Sequence, residues 1–198
     1  MDYTQIKIPF LKAKSIKNTA DRFRQKYWGN IIPIDIEKIS ETKLGIDIIP
    51  LPDLNMNCDT DAYITSDWAS IMVDNAKYMY DKHQNRLRFS IAHEIGHYVL
   101  HKEVYSGFNI NEIEDFYEFI EQIPGAEYGN LETQANKFAS FLLVPREILA
   151  VEKEDLLKEK TAGLELLNVD DETLNSYIAG PLASKFGVSP EVIEIALK

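Results

Sequence analysis

From Asn85 to His101 the apolar residues keep one rhythm. Leu87, Ile91, Ile95 and Val99 fall four apart, and Phe89, Ala92 and Leu100 widen the stripe. A helix is the element that brings residues of this period onto one face, and a helix this apolar has to be buried. The stretch therefore calls for a core built around a central helix. Within it stands His93-Glu94-Ile95-Gly96-His97. Two imidazoles four residues apart project from one face, about 6 Å apart along the axis. Both can reach a single ion through bonds of about 2.0–2.1 Å. Glu94 is rotated towards the open side, where it can take a proton from water. The chain has only four histidines in 198 residues. Two of them at this spacing, inside an apolar helix and with Glu94 between, point to a metal centre rather than to a pair of core histidines.

The remaining sequence supplies the packing around that helix. Ile16, Ala20, Phe23 and Tyr27 predict a helix from about Ser15 to Trp28. Asp35 opens a short helical segment lined by Ile36, Ile39 and Leu44, and Gly45 stops it. Three short β-like runs follow, 46–49, 62–65 and 69–73, with Asp74 and Asn75 as turn residues. They predict a small, mostly antiparallel sheet, and two readings of its last strand stand equal: an edge offered to an extended peptide, or a plain core strand. The stretch from Lys102 to Asn130 is acidic and aromatic, and Gly107, Pro124, Gly125 and Gly129 interrupt it. It reads as a long excursion holding one helix near Glu112 to Ile123. A second apolar helix is expected from Leu131 to Val144, stopped by Pro145, and a charged surface helix from Glu147 to Lys160. Two short helices, Pro181 to Phe186 and Pro190 to Lys198, close the chain. Gly187 ends the first, and Ser189 caps the second. The expectation is an α+β fold forming one domain over 1–198, with a core at about 15–147 and a helical extension at about 148–198.

A catalytic zinc ion uses three protein ligands and keeps a position open. His101 shares the face of His93 but lies about 12 Å along the helix, too far to share one ion with both histidines. Glu103 sits six residues after His97, a known spacing, but Leu100 replaces the glycine which that arrangement uses to turn the chain. Glu132 opens the second apolar helix, where a carboxylate needs a partner. Asn136, one turn later, can hydrogen-bond a ligand histidine. Glu132 is the favoured third ligand; the alternative is an ordinary acid at a helix start. Gln134 is expected to face elsewhere.

Composition narrows the function further. An apolar fraction of 45% excludes a disordered chain. Thirty-two acidic against 21 basic residues give a net charge of -11, a surface that repels phosphate, so direct nucleic-acid binding is not expected. The stretch from Leu182 to Glu191 has the rhythm of a helix-turn-helix. Its second helix, however, carries Glu191 and Glu194 with only Lys198 as a base, so it reads as a packing cap. Cys58, the single cysteine, excludes an internal disulfide and a cysteine cage. No apolar run reaches the roughly 18 residues of a membrane span, and Met1 to Lys17 lacks the apolar block of a secretory signal. A soluble cytoplasmic protein without membrane contact is expected.

Three blocks in order resemble the ImmA/IrrE family of metallopeptidases: Pro33 to Ile39, Arg88 to His101, and Glu132 to Pro145. The likeness spans about Ala20 to Glu147. It implies a compact, zincin-like, gluzincin-type core with a small sheet, the buried His-Glu-x-x-His helix and a second helix bearing a glutamate ligand. It carries onto His93, His97 and Glu132 as ligands of one Zn2+ (Mn2+ or Fe2+ in the cell as alternatives) and onto Glu94 as catalytic acid/base. The implied substrate is a helix-turn-helix repressor of mobile elements or stress regulons, or an antitoxin-like partner. Sequestration of a repressor without cleavage is the alternative. A basic partner of that kind suits the acidic surface. The residue that stabilises the oxyanion is left open among Tyr98, His101, Tyr105 and His83. There are two departures from the family pattern. Gln134 stands where an acid is common and is expected to be harmless. The segment between His97 and Glu132 is long and acidic, and it bears on the choice of substrate.

Overall fold

The computed structural model describes residues 2–161 and 170–198. A strap, residues 2–12, precedes α1 (Ala13–Tyr27), which buries Ile16, Ala20 and Phe23. α2 (Ile36–Lys38) begins where the Asp35 carboxylate accepts from the Lys38 N–H at 3.0 Å. It runs into a π-helical turn, Ile39–Leu44, which Gly45 ends at φ 69°. Then come β1 (Asp47–Leu51), α3 (Leu54–Cys58), β2 (Ala62–Ile64) and β3 (Ser70–Asp74).

The sheet has the order β1-β3-β2 and is mixed: β3 runs antiparallel to β2 but parallel to β1. This corrects the expectation of a mostly antiparallel sheet, and of the two readings of β3 it gives the core strand, in the middle of the sheet. The reason lies in burial and in proline. Ile71 and Val73 of β3 are both fully buried. Pro50 deprives β1 of an N–H donor, which suits β1 to an edge. The chain leaves β1 through α3 and returns on the far side, so the β2–β3 hairpin enters with β3 against β1. β2 is left as the second edge.

α4 (Asn75–Met79) follows directly, because Asp74 caps it by accepting from the Lys77 N–H at 3.0 Å. The expected turn is thus a helix start. α5 (Gln84–Leu100) is the central helix, with Leu87, Ile91, Ala92 and Ile95 buried. The acidic excursion is more ordered than its breakers suggest. It holds α6 (Lys102–Tyr105) and α7 (Ile113–Gln122), and its aromatics pack on one another and on the strap. Tyr3 stands edge-on to Phe108 and Phe119 at 5.6 and 5.3 Å. The strap is fixed further where the Ile8 N–H donates to Glu127 at 2.8 Å and the Tyr3 hydroxyl accepts from the Asn109 N–H at 3.2 Å.

α8 (Gly125–Leu143) starts ahead of its apolar periodicity, directly after Pro124, and packs between α5 and α1. α9 (Arg146–Thr161), α10 (Asp171–Phe186) and α11 (Pro190–Leu197) complete the chain. α10 begins well before Pro181, which lies inside it, because Asp170 caps its start by accepting from the Thr173 N–H at 3.0 Å. The turn between α10 and α11 sits on α5: Asn85 donates to the Val188 carbonyl at 3.1 Å, and Arg88 donates to that of Gly187 at 2.6 Å. Leu182, Phe186, Val188 and Ile193 are fully buried there. Among the described residues, no helix is long and apolar enough to cross a membrane.

Candidate metal centre

Two helices build the site. One turn of α5 presents His93 and His97 with their Nε2 atoms 2.9 Å apart. α8 runs across this turn and brings Glu132 to it, with Oε2 3.1 Å from His93 Nε2 and Oε1 3.4 Å from His97 Nε2. The helices approach this closely because residue 96 is glycine. A Cβ there would stand 3.1 Å from both the Cα and the carbonyl oxygen of Ala135 and 3.3 Å from Phe138.

Glu94 also has an oxygen within 4.8 Å of donor atoms on both histidines. It makes no hydrogen bond or ion pair with either ring, so Glu132 is the carboxylate that closes the triangle and Glu94 stands beside it. The three donors suit a divalent cation. Tetrahedral bonds of about 2.0–2.1 Å would separate ligand atoms by about 3.3 Å, close to the spacings seen. Two bare imidazole nitrogens at 2.9 Å would repel each other without a proton or a cation between them.

Each imidazole is held from behind. Asn136 Oδ1 lies 2.9 Å from His93 Nδ1. His97 Nδ1 faces His101 Nδ1 at 3.0 Å, and His101 Nε2 faces Gln134 Oε1 at 3.2 Å. Gln134 is therefore buried and engaged with the site's surroundings. It faces away from the triangle itself, onto His101, because α8 turns its buried side at 134 towards the end of α5.

The charges respond to one another. Burial would lower the His93 imidazole, but the hydrogen bond and charge of Glu132 outweigh it and raise it to about 9. Burial would raise Glu132, but the two imidazoles hold it well below the usual carboxylate range. Burial pushes Glu94 up to about 8 and lowers His97.

The site opens into a cavity of about 170 Å³ lined among others by Asp61, Ala62, Tyr105, Phe116 and Tyr128. Beyond Arg86, Phe89 and Asn136 lies a wider trough of about 750 Å³ with apolar walls from Phe141, Val192 and Ile195. Arg86 pairs with Asp61 at the boundary, and Lys77 lies 3.5 Å from the same carboxylate. Of the oxyanion candidates, only Tyr105 reaches the cavity. His101 stands behind His97, Tyr98 packs against Trp68, and His83 does not line it; Glu103, the disfavoured third ligand, is exposed and does not line it either. Tyr128, Arg86 and Phe89 had escaped the sequence reading. Tyr128 was legible as the residue one turn before Glu132, but only to a reader who starts α8 at Gly125.

A family model described as Peptidase_M78, the IrrE N-terminal-like domain, matches residues 41–198. No curated protein matches. Among solved structures, a Mycobacterium tuberculosis transcriptional regulator superposes with a TM-score of 0.55 at 16% identity, over 91% of this chain and 45% of that one. At that identity the likeness speaks for the fold, and this chain spans less than half the length of the regulator.

Proposed function

This chain belongs to the Peptidase_M78 family of IrrE N-terminal-like domains, and on that premise we propose that it is a zinc-dependent endopeptidase of one domain with a zincin-like core at about 15–147. We infer further that it acts in the cytoplasm on a helix-turn-helix repressor or an antitoxin-like partner. The observation that carries the reading is the convergence of Glu132 on the His93–His97 pair at 3.1 and 3.4 Å, with Glu94 alongside.

His93, His97 and Glu132 are the proposed ligands. A divalent cation there, zinc or in the cell manganese or iron, supplies a Lewis acid for the peptide carbonyl and eases ionisation of water. Glu94 is the proton carrier. Burial favours its neutral form and a cation beside it the ionised form, so the carboxyl can take a proton and return it. It takes one from the attacking water and gives it to the leaving amine. Tyr105 and Tyr128 line the cavity and are placed to face the reacting carbonyl. Asn136 keeps the His93 ring oriented. The edge strand β2 borders the cavity through Ala62, so an extended substrate can add along it. The trough beyond Phe89 then receives apolar side chains from one flank of the cut.

The test uses the zinc-loaded chain and a helix-turn-helix repressor encoded beside its gene. Glu94→Gln should retain zinc and slow cleavage by at least about 100-fold. Full activity in that variant defeats the role of Glu94. An intact repressor held in a stable complex by the zinc-loaded native chain would favour sequestration over cleavage.

A further inference from the structure

Behind the triangle a buried line of hydrogen bonds leads away from the cavity to the strap. It runs from His97 Nδ1 to His101 Nδ1 at 3.0 Å, from His101 Nε2 to Gln134 Oε1 at 3.2 Å, and from Gln134 Nε2 to the Pro9 carbonyl at 2.9 Å. His101 and Gln134 are 2% and 5% exposed, so water does not compete for these bonds.

The far end of the line sets the direction of every bond. A backbone carbonyl only accepts, so the NH2 of Gln134 must face Pro9 and its Oε1 must face His101. That oxygen also only accepts, so His101 Nε2 carries the hydrogen. In a neutral ring this leaves His101 Nδ1 as an acceptor, and His97 donates to it from its own Nδ1. His97 Nε2 is then bare, with its lone pair towards His93 and Glu132. In the other tautomer a hydrogen would occupy the place a cation needs.

We propose that His101 and Gln134 are positioning residues through which the strap holds His97 in its metal-binding tautomer. The inference rests on the metal-centre reading above. It also adds something the family match does not supply, because Pro9 lies outside the matched residues 41–198. His93, by contrast, is held from behind by Asn136, an exposed residue of α8.

The test uses the full chain and Zn2+ affinity measured by competition with a chromophoric chelator. His101→Leu should weaken binding by about 10- to 100-fold, the range for lost partners of a ligand histidine. His101→Asn should recover most of that loss, because the asparagine Oδ1 occupies the place of the missing Nδ1. A role in packing alone predicts the opposite order, since asparagine would bury an amide where leucine is apolar. Gln134→Met, which keeps the volume and removes both bonds, should cost about tenfold.

Nitrogen-15 spectra of the metal-free native chain give an independent readout. His97 should show a protonated Nδ1 and a bare Nε2, and His101 the reverse. A hydrogen on His97 Nε2, native affinity in His101→Leu, or no advantage of asparagine over leucine would each overturn the proposal. Failure of the native chain to take up Zn2+ would sink the metal-centre reading instead, and the spectra would still decide the tautomer.

Discussion

At His93 the metal-free site balances its charge with a proton. Asn136 Oδ1 accepts from Nδ1, and Glu132 draws a second hydrogen onto Nε2, which keeps the ring protonated up to about 9 despite its burial. A divalent cation has to displace the Nε2 hydrogen. Uptake at neutral pH should therefore release one proton from His93, and affinity should strengthen as pH rises towards about 9 and level off above it. Glu94, held up to about 8 by burial, adds a further fraction when the cation's charge favours its ionised form. Calorimetric titration in buffers of different ionisation enthalpy counts these protons, and a count of zero would contradict the His93–Glu132 pair. The ligand pair itself was legible in sequence, because i and i+4 share a helical face wherever the helix lies. The link from His101 to Gln134 was not, since it joins two helices whose relative rotation no local pattern records.

At the scale of elements, the distance between α5 and α8 decides whether a centre exists. Gly96 sets that distance at Ala135, less than one turn from Glu132. Gly96→Ala forces the helices apart by a few tenths of an ångström. It should cost about 1–3 kcal/mol of stability and weaken zinc binding as well. Ile91→Val, a core change on the same helix away from the contact, should cost about 0.5–1.5 kcal/mol and leave zinc affinity intact. Equal affinities in the two variants would separate helix spacing from the site. α11 forms a wall of the trough, and Ile195 there is 58% exposed, so Ile195→Asp should fold normally. It should lower kcat/KM on a protein substrate by about tenfold or more, with zinc content unchanged. An unchanged rate would remove the trough from the substrate path. The helices α1 and α5 matched their sequence patterns because each shows its own period over several turns. α8 and α10 began earlier than expected because their first turns are set by a preceding proline and by an aspartate cap rather than by apolar spacing.

Across the whole molecule, a cation shared between α5 and α8 ties the central helix to the rest of the core. Saturating it at about 100 times its dissociation constant should add about 2.7 kcal/mol to stability. For a chain of this size that is a rise of about 5–10 °C in the unfolding midpoint. Melting curves with zinc and with a chelator check this, and identical midpoints would argue against a cation bound by the folded state. The central helix, the His93–Glu94–His97 face and the acidic surface follow from the amino-acid order alone, since each depends on residues close together in the chain or on a sum over all of them. So does the α+β class, because helical and strand periods are local. Only the tertiary structure decided the placement of β3 in the middle of a mixed sheet, the approach of Glu132 across Gly96, and the reach of the strap through Gln134 to His101. These depend on how separate segments dock. Docking is fixed by contacts between residues far apart in the chain, 125 positions for Pro9 and Gln134, and no period along the chain encodes it.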